Sequence, residues 1–394
     1  MSGPLSDVRV LDLSRVLAGP FCTMILGDLG AEVIKVERPE GGDDTREWGP
    51  PFAAGESAYY LSVNRNKKSV LADLASPEGH GVVASLAAKS DVVIENFRVG
   101  VAEKLGLGYA QLSASNPGLV YLSITGYGRT GPYRDLPGYD FIIQAMSGLM
   151  SITGEKEGEP MKLGVATVDL TTGLYAAVAI LAALRRRDAS GQGQHIDVSL
   201  MDSALSWLAN VGENYLVSGE ISGRFGNGHA SIVPYQVFRA SDGYLAVGVG
   251  NDKQFRKFCE IAGAPGLAAD ERFATNPGRV RNREALIPLL EDLFARRETR
   301  FWIGSLWKEG IPAGPIHTVD KALDDPNTAA REMVVEMPHP KAGSVRLIGS
   351  PMKFSGTPVE YRMPPPLLGE HTEKVLRDVL GMSEEEVRGY RVRE

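Results

Sequence analysis

The first 37 residues read as a strand, a helix and a second strand, and this order constrains the fold more than any other feature. Residues 8–13 alternate in polarity as a half-buried strand does. A helix is predicted from Gly19 to about Leu29, with Gly30 as its end. Residues 31–37 form the second strand. Two strands joined by a crossover helix pair in parallel, so we expect an α/β fold with a parallel sheet.

Several ligand classes are disfavoured by this sequence. The turn after the first strand reads Ala18-Gly19-Pro20 and lacks the G-x-G-x-x-G spacing that binds nucleotide redox cofactors. The two cysteines, Cys22 and Cys259, make neither a disulfide framework nor a metal site, which fits a reducing cytoplasm. A formal charge of −7 argues against nucleic-acid binding. No uninterrupted apolar run reaches the roughly 20 residues of a membrane span.

The chain length predicts two domains, because 394 residues exceed what one core usually holds. Around residue 233 the pattern changes to short strands, with Ser241-Asp242-Gly243 as a hairpin turn. Helices follow at about 252–261, 282–294 and 299–309. We predict a large domain over residues 1–220, a small α+β domain over 225–330, and a return to the large domain over 331–394, ending in a charged helix.

Asp169 is a single acid at the start of an apolar helix. Residues 174–184 carry almost no polar atoms, and the arginines at 185–187 suit the negative end of a helix. An acid in such surroundings costs free energy unless it is hydrogen-bonded or has a chemical role. Two interpretations stay open, a helix N-cap and a nucleophile. They are compatible, because free N–H groups near a helix start keep a carboxylate ionised.

Two further regions are candidate ligand sites. The long loop over residues 38–57 precedes a basic cluster, Arg65, Lys67 and Lys68, which makes a phosphate-bearing partner plausible. Residues 96–98 follow a predicted strand and lie at the carboxyl edge of the sheet, where open α/β sheets bind ligands.

Seven short motifs, spread in order along nearly the whole chain, match those of a known family. They comprise residues 9–13 with 17–20, 30–37, 64–69, 95–98, 169 with 172–173, 191–194, and 366–372. Each is weak alone, but together they resemble the class III CoA-transferases, the family of formyl-CoA transferase and carnitine CoA-transferase. The resemblance favours the nucleophile interpretation of Asp169.

The resemblance implies a fold and a set of ligands. The fold is a large Rossmann-like domain built from both chain ends, a smaller domain between them, and a homodimer of two interlocked ring-shaped subunits. The ligands are an acyl-CoA and a carboxylic acid, with no metal and no nucleotide redox cofactor.

The implied chemistry centres on Asp169. Its carboxylate attacks the thioester carbonyl and gives an acyl-aspartyl anhydride and CoA thiolate. The thiolate then forms an aspartyl-CoA thioester, from which the incoming acid takes CoA. Each exchange is nearly thermoneutral. The oxyanions need N–H donors, and the backbone of residues 226–229 is our candidate.

The resemblance also implies the CoA contacts, residue by residue. Arg38 and Lys104 are expected to hold phosphates, and the backbone of 72–75 to meet the adenine. The thirteen predicted contacts are Ala18, Arg38, Ala72, Asp73, Leu74, Ala75, Asn96, Phe97, Arg98, Lys104, Pro137, Gly138 and Tyr139. The predicted acyl pocket comprises Arg15, Leu17, Arg46, Trp48, Tyr59, Asp140, Gly228 and His229.

Departures from the formyl enzyme indicate a different acid. Leu17 stands where that enzyme has glutamine, Lys104 replaces arginine, and residues 224–229 replace a run of glycines. These features favour dicarboxylate members such as succinyl-CoA:glutarate CoA-transferase. A second carboxylate needs a cation, and the candidates are Arg15, Arg46, Arg224 and His229.

Other functions remain as alternatives. An α-methylacyl-CoA racemase needs a histidine before its acid, but the sequence here is Gly138-Tyr139-Asp140. Tyrosine, with a pKa of about 10, is a poor base at neutral pH. Two further alternatives are a CoA-transferase of the formyl-CoA:oxalate type and a non-catalytic CoA-binding protein.

Overall fold

The computed structural model describes residues 3–390, and the chain forms two compact units. The first comprises residues up to 149, 163–213 and those from 326 onward, and the second comprises 150–162 and 214–325. The predicted domain boundaries, at 220/225 and 330/331, differ from these by five to eleven residues. Residues 150–162 belong to the second unit, although the prediction left them in the first. The last four residues of the predicted 331–394 segment lie outside the described range.

Strands and helices are numbered here in chain order over residues 3–390. The strands are β1 Arg9–Asp12, β2 Glu32–Glu37, β3 Phe52–Ala53, β4 Glu56–Ser57, β5 Lys67–Leu71, β6 Val92–Glu95, β7 Val120–Thr125, β8 Gln194–Ser199, β9 Tyr235–Arg239, β10 Tyr244–Gly248, β11 Ala313–Pro315, β12 Val334–His339 and β13 Gly343–Ile348. The helices are α1 Ala18–Asp28, α2 Ala58–Val63, α3 Pro77–Ala88, α4 Val101–Lys104, α5 Tyr109–Ser115, α6 Asp140–Met146, α7 Thr167–Ser190, α8 Leu200–Ser206, α9 Ala209–Ser218, α10 Asp252–Ile261, α11 Pro265–Ala269, α12 Asn276–Arg281, α13 Arg283–Phe294, α14 Thr299–Lys308, α15 Val319–Leu323, α16 Pro326–Ala330, α17 Thr372–Asp378 and α18 Glu384–Gly389. Short 3₁₀ helices lie at Asp44–Arg46 and Leu149–Ile152.

The first unit is built on a six-stranded parallel sheet in the order β5-β2-β1-β6-β7-β8. Val10 of β1 pairs with Val33 of β2 on one side and with Val92 of β6 on the other. This is the strand order of Rossmann folds, in which the chain winds outward twice from the centre. The predicted parallel α/β fold is confirmed. Between β1 and β6 the winding direction reverses, and the carboxyl ends of these two strands leave a crevice.

Apolar side chains alternate between the two faces of this sheet. Val10 packs into a layer with α1 and α7, whereas Leu11 packs into the opposite layer with α3. Burying each such side chain contributes about 1.5–3 kcal/mol. The second layer is completed from the far end of the chain, where Val375 of α17 is buried and Thr372 accepts the amide of Leu71 through its hydroxyl.

Helix α7 is the longest helix of the chain within the described residues. By length and composition it is apolar enough to cross a membrane. Core helices of soluble folds pass the same test. Here Ala176, Ile180 and Ala183 belong to the apolar layer against the sheet, which is how a core helix packs.

The second unit has a three-stranded antiparallel sheet in the order β11-β10-β9. Arg239 pairs with Tyr244 across the predicted hairpin turn. Helices α10, α13 and α14 supply an aromatic core in which Phe294 lies 4.6 Å from Trp302 and 4.3 Å from Phe238 between ring centroids. These helices lie where the sequence predicted them.

Candidate active site

Two cavities of the first unit lie at the carboxyl edge of the sheet, beside the crevice between β1 and β6. Cavity A has a volume of about 320 Å³ and is lined by six of the predicted CoA contacts, Arg38, Ala72, Asp73, Leu74, Ala75 and Phe97. Cavity B has a volume of about 410 Å³ and is lined by Asp169, Arg15 and Leu17. It is also lined by seven predicted CoA contacts, Ala18, Asn96, Phe97, Arg98, Pro137, Gly138 and Tyr139. Arg15 and Phe97 line both cavities. The exposed Lys104 lines neither, although its neighbour Leu105 lines cavity A.

The turn after β1 contributes residues to both cavities, and its backbone is strained at Val16. Val16 has a φ of 70°, which a β-branched residue rarely adopts. Its amide donates to Asp43 Oδ1 at 3.2 Å. The amide of Arg15 donates to Asn96 Oδ1 at 3.0 Å, and Asn96 Nδ2 donates back to the Arg15 carbonyl at 2.8 Å. The Asn96 amide group therefore joins the two turns of the crevice in addition to lining cavity B.

Asp169 is the third residue of α7, and Ala166 is the N-cap residue. The N-cap interpretation of Asp169 is therefore wrong. The helix start is capped by Asp140, whose Oδ2 accepts the amides of Val168 at 2.8 Å and Asp169 at 3.2 Å. Because a neighbouring helix already occupies these N–H groups, they do not hold the Asp169 carboxylate in its ionised form.

The acidity of Asp169 follows from this arrangement. Burial is the larger cause and the negative charge of Asp140 the second, and together they raise the pKa of Asp169 to about 7. The sequence predicted a carboxylate kept ionised, and the structure has the opposite shift. Within residues 3–390, no group of three His, Cys, Asp or Glu side chains is arranged to hold a metal ion, so the two acids are not part of such a cluster.

A small apolar cluster lies near this carboxyl group, because its member Leu17 lines cavity B together with Asp169. Tyr59 and Leu170 pack with Leu17 in one small cluster. The rings of Tyr59 and Trp48 meet edge to face with centroids 5.1 Å apart. Burial and then the charge of Asp169 raise the pKa of Tyr59 to about 12, so the phenol stays protonated at neutral pH and lies within the field of Asp169.

The predicted basic cluster is not a phosphate site. Arg65 is buried and pairs with Asp28 at 2.6 Å, and Lys67 is buried 3.3 Å from Asp12. Lys68 pairs with Glu32. Each cation already has a carboxylate partner, and Lys67 is part of the central sheet. The two buried pairs, Arg65–Asp28 and Lys67–Asp12, are part of the framework of the first unit.

Arg46 is also committed to protein partners. Its Nε and Nη2 donate to the two oxygens of Glu37 at 2.7 Å, and Glu56 lies 3.6 Å from Nη1. The guanidinium stacks 3.7 Å from the centroid of the Tyr60 ring. Its side chain is only 9% exposed. The prediction that Arg46 receives a substrate carboxylate is therefore corrected.

Arg15 and Arg38 share one carboxylate. Asp44 accepts from Arg15 Nη1 and from Arg38 Nη2, each at 2.9 Å. Both arginine side chains are about half exposed, at 49% and 52%. Asp44 was missed by the sequence analysis, because nothing in a Gly-Gly-Asp-Asp loop indicates which arginines its acids contact.

The remaining predicted residues lie in the second unit. Arg224 donates to the carbonyls of Glu155 and Gly158, at 3.0 and 2.6 Å. The amides of Gly226, Gly228 and His229 donate to the carbonyls of Gly154, Phe225 and Tyr235, at 3.1, 2.9 and 3.0 Å. These three N–H groups are occupied as the loop is folded here, so they are not a preformed oxyanion hole.

Comparisons with known proteins agree with this geometry. The model of "CoA-transferase family III" matches residues 5–372. The succinyl-CoA:glutarate CoA-transferase of Mus musculus is 47% identical over 381 residues, covering 97% of this chain and 87% of the mouse protein. The succinate–glutarate CoA-transferase of Agrobacterium fabrum is 47% identical over 382 residues, covering 95% of this chain and 96% of that protein.

A solved structure gives the same result for the fold. The crystal structure of a CAIB/BAIF family protein from Brucella suis superposes with a TM-score of 0.86 at 46% identity, covering 95% of this chain and 99% of that one. The family model spans the parallel sheet, both cavities and Asp169, and the relatives match over almost their full length. The chain belongs to CoA-transferase family III.

Proposed function

We propose that this CoA-transferase moves CoA between succinyl-CoA and glutarate, with Asp169 as its nucleophile. The observation that carries the proposal is that Asp169 lines the same cavity as seven predicted CoA contacts. The two relatives named for succinate and glutarate support the choice of acids.

The reaction is written as a sequence of exchanges at one carboxylate. An ionised oxygen of Asp169 bonds to the thioester carbonyl carbon and the C–S bond breaks, which gives a succinyl-aspartyl anhydride and CoA thiolate. The thiolate adds to the aspartyl carbonyl and releases succinate, leaving an aspartyl-CoA thioester. Glutarate then attacks this thioester and forms a new anhydride and thiolate. Attack of that thiolate on the glutaryl carbonyl gives glutaryl-CoA and frees Asp169.

The surroundings of Asp169 suit this chemistry. With a pKa of about 7, the group is ionised in a substantial fraction of molecules at neutral pH. Leu17, Tyr59 and Leu170 form an apolar wall for the methylene chain of the acid. Limited access of water to such a wall protects an anhydride from hydrolysis.

Arg15 is our candidate for the second carboxylate of the dicarboxylic acid. It lines the cavity that contains Asp169, and its guanidinium is half exposed and already holds a carboxylate, that of Asp44. A substrate carboxylate replaces Asp44 as the partner of Arg15 in this proposal.

The test is to trap the enzyme intermediate. The protein is incubated with succinyl-CoA and hydroxylamine, and peptide masses locate the product. We expect a hydroxamate at Asp169 and loss of activity. Asp169→Asn should reduce transfer to about the uncatalysed level while free CoA still binds, because the amide cannot act as the nucleophile. Asp188→Asn, the same change at an exposed position of α7, should retain activity.

The acid specificity is tested in the same assay with a panel of acceptors. Glutarate and other dicarboxylates of similar length should outperform oxalate, formate and monocarboxylates. A hydroxamate elsewhere, or transfer retained by Asp169→Asn, would contradict the mechanism. Preference for oxalate or formate would overturn the choice of acid but leave Asp169 as the nucleophile.

We also propose a homodimer of interlocked subunits in the cytoplasm. Support for the dimer comes from an exposed apolar surface on the first unit, the α7–α8 patch, made by Leu174, Tyr175, Val178, Leu205 and Trp207. Tyr175 Oη lies 3.0 Å from Ser206 Oγ, which joins the two helices across the patch. Exposed patches of this kind mark interaction surfaces. Both cysteines are buried free thiols, which suits a reducing compartment.

A further inference from the structure

A cluster of ionisable groups lies beside cavity B and has no role in the chemistry described above. At its centre is Arg129, in the loop after β7. Arg129 Nη2 forms an ion pair with Glu103 Oε1, and Nη1 lies 3.9 Å from Glu95 Oε1. Nη1 also donates to Ser123 Oγ at 3.4 Å. The Arg129 side chain is 20% exposed and that of Glu95 only 2%, so these interactions are partly shielded from water.

The two acids occupy informative positions in the chain. Glu95 directly precedes Asn96, and Glu103 directly precedes Lys104. Four of the predicted CoA contacts, Asn96, Phe97, Arg98 and Lys104, lie between or beside them. Glu95 Oε2 also accepts the amide of Phe97 at 2.7 Å, which fixes the turn after β6. One guanidinium therefore holds both ends of the segment 96–104.

We propose that Arg129 is a positioning residue for the coenzyme, because its ion pairs with Glu95 and Glu103 fix the segment 96–104 in the conformation that lines cavity B. Arg129 lines neither cavity and is assigned no contact with the ligand. The proposal rests on the proposed function only in taking cavity B as part of the coenzyme site.

The physical reason is preorganisation. The segment contains Gly100 in a left-handed conformation with φ of 86° and a helix, α4, of only four residues. Such a segment has little internal structure to hold it. If the ion pairs are absent, the coenzyme has to order the segment when it binds. The conformational entropy lost in that ordering weakens the affinity for the coenzyme.

Glu95 gives the network a pH dependence. Burial raises the pKa of Glu95 to about 7, while hydrogen bonds from Ser123 and Phe97 oppose the shift. Burial, and then the charge of Arg129, lower the pKa of His195, so this ring stays neutral near pH 7. The titratable and charged groups that face the cluster are Glu103 of α4, Tyr109 of α5, Tyr121 of β7, His195 and Asp197 of β8, and Arg129 itself. Below about pH 7 Glu95 takes up a proton and loses its charge, so its attraction to Arg129 weakens.

The experiment measures binding of free CoA by calorimetry. For Arg129→Met we expect the Kd to rise roughly tenfold, the scale of one lost charge-assisted hydrogen bond. Arg129→Lys should restore part of the affinity, because it keeps the charge but loses the fork. In turnover, the KM for the thioester should rise more than kcat falls. The control is Arg134→Met, whose exposed guanidinium pairs only with the adjacent Asp135 among the contacts described. It should bind CoA as the parent does.

A second variant covers the case in which Arg129→Met does not fold. Glu103→Gln leaves the fold of β6 and β7 untouched, and it should weaken CoA binding in the same direction. An unchanged Kd in a folded Arg129→Met, or in Glu103→Gln if the first does not fold, overturns the proposal.

The pH series uses Asp169→Asn as the parent, because Asp169 titrates in the same range. In this parent the Kd should rise as pH falls through about 7. Glu95→Gln in this parent keeps an acceptor for the Phe97 amide but carries no charge. It should therefore remove the rise in Kd near pH 7. Any pH dependence that comes from the titration of CoA itself is the same in both proteins. A step of the same size in both proteins contradicts the role of Glu95.

Failure of this inference is distinguishable from failure of the coenzyme site. If Arg38→Met and Arg98→Ala weaken CoA binding but Arg129→Met does not, only the positioning role is wrong. If none of the three changes the Kd, the assignment of cavities A and B to CoA is wrong.

Discussion

Asp169 has an acidity set by its neighbours rather than by its chemical type. A carboxyl group with an ordinary pKa near 4 is fully ionised at neutral pH and weakly nucleophilic. Burial and the proximity of Asp140 raise the pKa of Asp169 to about 7. Asp140 has a second role, because its Oδ2 caps the helix that carries Asp169. Asp140 therefore helps to fix the position of Asp169, the proposed nucleophile, and also raises its pKa.

The pH dependence of turnover should report this coupling. The proposed nucleophile, Asp169, must be ionised to react, so kcat/KM should rise with pH and level off above about 7. Asp140→Asn removes the like charge but keeps an oxygen that can accept the amides of Val168 and Asp169. The pKa of Asp169 should then fall, and the acidic limb of the profile should move to lower pH. Activity at pH 6 should increase roughly two- to tenfold relative to its plateau value.

In Asp140→Asn, the pKa of Asp169 should not return to its ordinary value near 4, because burial is the larger cause of its rise. The measurement is kcat/KM against pH for both proteins, with Asp202→Asn as a control at an exposed acid of α8. An acidic limb that stays in place would show that Asp140 acts only as a cap.

At the same scale, the sequence indicated Asp169 as a candidate nucleophile but did not indicate the residues that surround it. Asp169 was recognisable because an acid before a long apolar run is unusual and because the surrounding motifs resemble a family. Asp140 as cap, and Asp12 as the partner of Lys67, are 29 and 55 residues away in the chain. Such pairings depend on the folded sheet. For this reason the sequence suggested a phosphate-bearing partner for the cations of residues 65–68, whereas two of them, Arg65 and Lys67, are buried in ion pairs.

The element that carries Asp169 is held by close contact with α1. A Cβ atom added at Gly173 would lie 2.7 Å from the Ala18 carbonyl oxygen and 3.0 Å from the Phe21 ring. The absence of a side chain therefore lets the two helix backbones approach, one turn after the nucleophile. Since Ala18 lines cavity B, this contact also sets the position of its wall.

Gly173→Ala should destabilise the protein by about 1–3 kcal/mol, the usual cost of overpacking a dense core. The control is Gly81→Ala in α3, where an added Cβ meets nothing within 4 Å. That change should be neutral or stabilising by up to about 1 kcal/mol, because alanine is the better helix former. Urea unfolding followed by circular dichroism measures both. Equal stability of the two variants would contradict close packing at Gly173.

Elements with strong local signals were predictable from the sequence. The strand–helix–strand start, the hairpin at 241–243 and α10 at Asp252–Ile261 are examples, because periodicity and turn chemistry act over a few residues. The turn at Val16 was not, because its left-handed backbone is held by Asp43, which arrives from another loop.

At the scale of the whole molecule, the α7–α8 patch is an exposed apolar surface that a partner subunit could cover. Leu174, Tyr175 and Val178 are between 45% and 64% exposed on a helix whose other face is core. Leaving such a surface in water costs about 25 cal/mol for each Å². A second copy of the chain, as proposed above, would cover it.

Val178→Glu should therefore shift the assembly toward monomer, because a charge is costly to bury in an apolar interface. Light scattering coupled to size-exclusion chromatography gives the mass. Ser85→Glu, at an exposed position of α3, is the control and should leave the mass unchanged. A monomeric parent protein, or a Val178→Glu dimer of unchanged stability, would contradict the proposed interface.

Helix α7 has separate sides for the proposed partner subunit and for cavity B. Leu174 and Val178 follow Asp169 by five and nine residues, which places them about 140° and 180° around the helix from that carboxyl group. A partner subunit at the α7–α8 patch would therefore contact α7 from another side than cavity B. A change at Val178 then tests assembly without altering the immediate surroundings of Asp169.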